Sequence, residues 1–170
     1  MSTAPIHGRA RVLGDDVNTD YLISSSRKKE SLDPQVLRRY LLEDLDPAFA
    51  ASVRPGDLLV AGDNFGCGSA MEVAVSVVIG AGIRAVVARG FSRTYARNAV
   101  NNGLLLVTAD TRGIAEGDPL AIRLDGGRPT VTVGPPPGRV LQGAPISDFV
   151  LALRAEGGLV PYLRRHRRLA

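Results

Sequence analysis

The chain has 170 residues, 45% of them hydrophobic and 22% charged, which is typical of one compact globular domain. No apolar run approaches the roughly 18 residues needed to cross a bilayer, and residues 1–8 lack the apolar core of a signal peptide. The single cysteine excludes an intrachain disulfide. We therefore expect one domain over residues 1–170, in the cytoplasm and without a membrane partner.

The formal net charge of +4 is modest, and its most basic segment is residues 164–168, with four arginines and one histidine. A tail that binds nucleic acid is one interpretation. The solvated end of a last helix, where cations also suit the helix dipole, is the other. Because no aromatic stacking platform accompanies these charges, we expect no nucleic-acid partner.

The N-terminal third predicts one strand, a polar loop and two short helices. The strand covers residues 10–13, and residues 14–26 form a loop rich in Asp, Asn and Ser. Asp33 and Pro34 suit the N-cap and first position of a helix, and a second Asp-Pro pair predicts a short helix over residues 46–52.

The middle of the chain predicts alternating strands and helices, hence parallel strands with right-handed crossovers. Residues 69–81 are apolar on almost every side, so periodicity alone does not distinguish helix from strand. This run is too long for a typical buried strand, which favours a helix, and Ser69-x-x-Glu72 fits a capping box at its start. The predicted strands cover residues 57–61, 84–88 and 104–107, and the predicted helices cover residues 69–81 and 93–101.

The C-terminal third has a different pattern. Strands over residues 120–123 and 129–133 flank an Asp-Gly-Gly turn, which predicts a hairpin. Three prolines at 135–137 form a rigid connector, and residues 146–154 and 159–167 predict two closing helices.

A glycine-rich loop at residues 62–69 is the strongest candidate for a site, because ligands of open α/β sheets bind beyond the carboxyl ends of the strands. A second loop, residues 90–93, is expected at the same edge. The glycines of the first loop would allow close approach of a ligand, and the helix start that follows this loop would favour an anion. Spacing alone makes Ser69 an N-cap, although its hydroxyl also suits a substrate carboxylate or proton transfer. Cys67 alone cannot hold an iron–sulfur cluster, and no Walker A or dinucleotide motif is present.

Several motifs occur in an order that resembles the small subunits of isopropylmalate dehydratases, within the aconitase family. They are Gly-Asp-Asp-Val-Asn-Thr-Asp at residues 14–20, Asn-Phe-Gly-Cys-Gly-Ser at residues 64–69, and Phe-Ser-Arg at residues 91–93. The resemblance implies an α/β fold, the swivelling β/β/α domain equivalent to the fourth domain of aconitase. It also implies a large-subunit partner that carries a 4Fe–4S cluster, while this chain binds no metal and can form homo-oligomers when isolated.

The activity implied by the resemblance is reversible dehydration and rehydration of a hydroxy dicarboxylate, 3-isopropylmalate or a close relative, in leucine biosynthesis. In that family the serine matched by Ser69 acts as the catalytic base. The residues that would then contact substrate are Gly68, Ala70, Asp20, Arg27, Lys28 and Arg93.

Two departures from the family pattern affect the expected substrate. The usual run Ser-Ser-Arg-Glu-His is Ser-Ala-Met-Glu-Val here, so Met71 replaces an arginine whose charged hydrogen bonds are worth about 1.5–3 kcal/mol. Residues 21–29 lack the family's proline, and Arg27 and Lys28 are either carboxylate contacts or solvated loop cations. A homoaconitase or dimethylmalate-type subunit, or a non-catalytic paralogue that binds a partner, therefore remain alternatives.

Overall fold

The computed structural model describes residues 4–169 and arranges seven strands there in one mixed sheet, in the order β4-β3-β2-β1-β5-β6-β7. Strands β1 to β4 pair in parallel, whereas β5, β6 and β7 extend the sheet from β1 in antiparallel fashion. The strands are β1 Ile6–Val12, β2 Leu58–Ala61, β3 Ala85–Ala88, β4 Leu105–Thr108, β5 Pro119–Asp125, β6 Arg128–Val133 and β7 Arg139–Gln142.

Seven α-helices and two 3₁₀ turns, within the same described residues, connect and cover the sheet. None of these helices is long and apolar enough to span a bilayer. The helices are α1 Thr19–Leu22, α2 Pro34–Leu37, α3 Phe49–Ser52, α4 Val73–Gly80, α5 Arg93–Asn101, α6 Asp148–Ala155 and α7 Leu159–His166, and the 3₁₀ turns are Arg27–Lys29 and Arg38–Tyr40.

Each face of the sheet buries its own hydrophobic core. Leu59 and Ala61 of β2 point into the helix-side core, which packs against α2, α4 and α5, whereas Leu58 and Val60 point into the opposite, inner core. Both β2 and β3 are buried along their whole length, as expected of parallel strands covered on two faces.

The inner core joins side chains from the parallel and the antiparallel strands, so the sheet curves around it into a half-barrel. The segment that leaves β7 holds the two ends of the sheet together. Its Gly143 N donates to Pro129 O of β6 at 2.8 Å, and Ala144 N donates to Thr108 O of β4 at 2.8 Å.

Most predicted elements are confirmed, including the parallel strands, the hairpin, both closing helices and the N-cap at Asp33, whose side chain accepts from Gln35 N at 2.9 Å. The N-terminal strand is longer than predicted, the predicted loop 14–26 contains α1, and β7 was not predicted. Residues 1–3 and 170, which the prediction of a single domain over residues 1–170 includes, lie outside the described part of the chain.

The predicted capping box at Ser69 is wrong. The helix begins four residues later, at Val73, and Glu72 at its N-cap position has helical backbone angles and no capping hydrogen bond from its side chain. Glu72 instead accepts from Asn102 Nδ2 at 3.2 Å. The argument that Ser69 lies at a helix N-terminus therefore fails with it.

Candidate active site

The loops after β1, β2 and β3 meet at the carboxyl edge of the parallel strands. Gly66 N donates to Val17 O at 2.8 Å, and Thr19 N donates to Cys67 O at 2.8 Å. These bonds fasten the loop after β2 to the loop after β1. The loop after β2 is therefore held in extended pairing beyond the end of its strand.

The same loop is fastened on its other side to the loop after β3. Phe65 N donates to Gly90 O at 3.0 Å, and Ser92 N returns a bond to Phe65 O at 2.9 Å. The Ser92 hydroxyl donates to Gly66 O at 2.7 Å and also caps α5. Three loops thus form one hydrogen-bonded platform.

Two glycines let this platform pack against its own chain. Gly66 and Gly68 have φ angles of 80° and 95°, in the left-handed region that favours glycine. A Cβ at Gly66 would overlap the ring of Tyr95, and one at Gly68 would overlap the side-chain amide of Asn18. These glycines therefore permit close packing inside the protein, and the close approach of a ligand that their pattern suggested stays a prediction.

Ser69 lies at the exposed end of the platform. Its carbonyl oxygen accepts from Thr19 Oγ1 at 2.8 Å and from Met71 N at 2.9 Å, which holds the backbone in a turn. Within residues 4–169 its hydroxyl makes no hydrogen bond, and neither do the backbone N–H groups of Gly68, Ser69 and Ala70. The loop therefore presents one hydroxyl and three N–H donors to an incoming molecule.

Met71, in contrast, is buried at 8% exposure and belongs to the helix-side core. The position that the resemblance assigns to a carboxylate-binding arginine is therefore occupied here by a packing residue. It offers a substrate no polar contact.

The predicted substrate contacts divide into two groups. Asp20 follows Thr19 and Arg93 follows Ser92, both of which bond directly to the platform, so these two exposed side chains share the edge with Gly68, Ser69 and Ala70. No hydrogen bond within residues 4–169 joins the 3₁₀ turn that carries Arg27 and Lys28 to this platform.

Arg27 is already engaged by carboxylates of its own chain. Its guanidinium donates to Glu43 at 2.7 and 3.0 Å and to Glu30 at 2.6 Å, and it lies 4.0 Å from the centre of the Tyr40 ring. The hydrogen bonds that Arg27 donates to Glu43 and Glu30 raise its pKa. Lys28 is exposed and forms no ion pair within the described residues.

An ion cluster that sequence reasoning missed ties the three loops together. Arg89 Nη2 lies 2.7 Å from an oxygen of Asp15 and 3.0 Å from an oxygen of Asp63, and the hydrogen bond with Asp63 raises the pKa of Arg89. Asp63 and Arg89 each follow a parallel strand closely, and Asp15 belongs to the motif at residues 14–20. The predicted topology could therefore have brought these three residues together.

The donor set of this chain does not fit an iron–sulfur cluster. The sequence contains one cysteine, and no group of three His, Cys, Asp or Glu side chains within residues 4–169 could hold a metal ion.

The fold and this edge define a swivelling α/β domain of the aconitase type, and residues 27–112 match the family described as Aconitase C-terminal domain. The chain belongs to this family. It is 39% identical to 3-isopropylmalate dehydratase small subunit 2 of Archaeoglobus fulgidus, over 94% of both chains. It is 40% identical to the 3-isopropylmalate dehydratase small subunit of Moorella thermoacetica, over 94% of this chain and 95% of that one.

A third relative, the isopropylmalate/citramalate isomerase small subunit of Methanocaldococcus jannaschii, is 38% identical over 94% of each chain. The crystal structure of 3-isopropylmalate dehydratase (leuD) from Methanocaldococcus jannaschii superposes with a TM-score of 0.88 at 36% identity, covering 96% of this chain and 95% of that chain. The predicted fold and family are therefore confirmed.

Proposed function

We propose that this chain is the small subunit of an aconitase-family hydro-lyase, which reversibly dehydrates and rehydrates a hydroxy dicarboxylate such as 3-isopropylmalate. The observation that carries the proposal is the sequence identity of 38–40%, over 94% of the chain, to known small subunits. Two of these are 3-isopropylmalate dehydratase small subunits, and the third is an isopropylmalate/citramalate isomerase small subunit. In this proposal residues 1–170 form one swivelling domain. The enzyme works in the cytoplasm.

The proposal requires a large-subunit partner, because this chain lacks the ligands for a 4Fe–4S cluster. Such a cluster, on the partner, would polarise the substrate hydroxyl as a Lewis acid. The small subunit contributes the exposed platform described above and closes it over the substrate.

On this chain, Ser69 is the proposed catalytic base, because its hydroxyl is exposed on a backbone held by Thr19. The free N–H groups of Gly68 and Ala70 suit the negative charge that develops beside a carboxylate when its neighbouring carbon loses a proton. No basic side chain within residues 4–169 bonds the Ser69 hydroxyl, so in this proposal the group that activates it comes from the large subunit.

Asp20 and Arg93 are the proposed side-chain contacts to substrate at the platform. Arg93 is the cation best placed for a carboxylate, since Arg27 is engaged by Glu43 and Glu30 and would have to exchange these partners. Lys28 is exposed and forms no ion pair within the described residues, so it is a further candidate contact. This ranking predicts that Arg93→Gln affects substrate binding more than Arg27→Gln does.

The test is to co-express the chain with a large subunit from the same genome, reconstitute the cluster, and measure turnover on 3-isopropylmalate, citramalate, dimethylmalate and homoaconitate. Ser69→Ala should lower kcat about 10²- to 10⁴-fold while the heteromer still forms. Ser76→Ala is the matched control, because the Ser76 hydroxyl only bonds Val73 O within α4. A cluster-loaded complex that turns over none of these acids would exclude the hydro-lyase function.

A non-catalytic, partner-binding paralogue is the second candidate, and the burial of Met71 favours it, since the family's arginine is absent from the site. In that case Ser69→Ala would leave the activity of the complex unchanged.

A further inference from the structure

Five arginine side chains within residues 4–169 are buried or half-buried, and four of them are paired with carboxylates. Arg154, in the last turn of α6, is the exception: it forms no ion pair or hydrogen bond within the described residues. The paired arginines are Arg9 with Asp57, Arg11 with Asp57 and Glu116, Arg27 with Glu30 and Glu43, and Arg89 with Asp15 and Asp63.

The position of Arg154 is electrostatically unfavourable for a lone cation. Burial lowers the pKa of Arg154, and the nearby positive charge of Arg84 lowers it further. The negative end of the α6 dipole offsets part of this cost. Guanidinium groups that leave water ordinarily gain a carboxylate or phosphate partner, and the space beside the Arg154 guanidinium can hold such an anion.

Arg154 lines a cavity of about 380 Å³ between β4, α5 and α6. Most of the remaining wall is apolar. It includes Val100 on α5, Leu106 on β4, Ile146 just before α6 and Val150 within α6. The volume falls within the range of small-ligand sites, about 300–1,000 Å³.

We propose that this cavity binds a small aliphatic carboxylate, whose charged group pairs with Arg154 while its alkyl chain packs against Val100, Leu106 and Val150. The planar guanidinium can hold a carboxylate through two parallel hydrogen bonds. The apolar wall selects the alkyl body, and the single cation selects one anionic group. The site is separate from the Ser69 hydroxyl and does not depend on the proposed enzyme activity.

Phe91 connects this cavity to the platform. Its side chain lines the cavity and also contacts Phe65, with ring centres 6.0 Å apart. An occupant should therefore change the environment of Phe65 as well as that of the cavity wall.

The test is an NMR titration of the isotope-labelled full chain with 3-methylbutanoate, with 3-methylbutanamide as the neutral control of the same shape. The acid should cause saturable amide shifts in β4, α5 and α6 and at Phe65. The amide should bind at least about tenfold more weakly than the acid, because it lacks the charge-assisted pair. Along the series from acetate through butanoate to hexanoate, affinity should rise about fourfold per methylene until the cavity is full.

Two variants test the site itself. Arg154→Gln should weaken binding of the acid about tenfold and leave binding of the amide unchanged, whereas the exposed Arg123→Gln should match the wild type. Ala96→Phe keeps Arg154 but fills the cavity, so it should abolish binding even if Arg154→Gln fails to fold.

Equal affinity for acid and amide, or no saturable shift up to the solubility of the acid, would overturn the proposal. So would shifts at these residues that follow the protein concentration alone, since they would assign the cavity wall to an interface between copies of the chain.

Discussion

At the scale of single residues, Gly66 is closely packed inside the platform. Its backbone lies against the fully buried Tyr95, and its φ of 80° already disfavours a side chain. Gly66→Ala should therefore add overpacking of about 1–3 kcal/mol to the cost of the left-handed conformation. Urea unfolding of the variant measures the total loss, and turnover of the complex measures the damage to the platform.

Gly117 provides a matched control, because its φ of 87° is similar but a Cβ there would meet nothing within 4 Å. Gly117→Ala should cost only the backbone strain, about 1 kcal/mol. If both variants lost the same free energy of unfolding, close packing on Tyr95 would have no part in stabilising the loop.

Ser69 shows what local pattern can and cannot establish about the site. Its exposed place after a parallel strand follows from the order of strands and loops. Its backbone conformation does not, because Thr19, fifty positions earlier, donates to the Ser69 carbonyl and turns the chain away from a helix. The local spacing of residues predicts neither that contact nor the burial of Met71. The catalytic role of Ser69 stays a prediction.

At the scale of elements, Asp57 joins the start of β2 to β1. Its carboxylate accepts from Arg9 Nη2 at 2.7 Å and from Arg54 N at 2.9 Å, and Arg11 Nη1 lies 3.5 Å away. Asp57→Asn leaves both arginines without their shared anion in a nearly buried site. We expect the free energy of unfolding to fall by about 3 kcal/mol, measured by urea denaturation at neutral pH.

The same carboxylate should contribute to acid sensitivity. Burial alone would raise the pKa of Asp57, but the hydrogen bonds from Arg9 and Arg54 and the charges of Arg9 and Arg11 lower it below its usual value on balance. Its stabilising contribution is therefore complete above the unfolded pKa and is lost as the pH falls through the folded one. Asp57→Asn should lose less stability than the wild type when the pH is lowered from about 5 to 3.

Asp110 is the control for this experiment, since Arg112 lowers its pKa to about 2 although the pair is exposed. Solvent screens such a pair, so Asp110→Asn should change both the stability and its pH dependence little. A large effect at Asp110 together with none at Asp57 would contradict the importance of burial.

The elements differ in how far sequence could predict them. An apolar run that is too long for a strand was enough to predict α4, although the helix is shorter than the run. The four-residue α1 depends on the Asn18 side chain, which accepts from Asp20 N at 2.9 Å, and on bonds to the loop after β2. Strand β7 is largely exposed and lacks an alternating pattern, so only its pairing with β6 defines it.

At the scale of the whole molecule, the parallel half of the sheet was predictable because strands and helices alternate along the chain. Its curvature was not, since it depends on Gly143 and Ala144 reaching β6 and β4 from the end of β7. The C-terminal cations belong to the same scale. Arg165 and His166, in the last turn of α7, contact Glu156, so this segment is an exposed helix end, and the expected absence of a nucleic-acid partner stays a prediction.

The curved sheet puts the platform at one edge, and the proposed function requires the large subunit to cover that edge. In hydrogen exchange of the complex, we therefore expect new protection of the loops at residues 14–18, 62–71 and 89–92, with α6 and α7 little changed. Ser69→Ala should keep this protection, because the substitution removes a hydroxyl that bonds nothing within the described residues. Protection concentrated on α6 and α7 instead would mean that the partner binds away from the platform, and Ser69 would then lie outside any shared site.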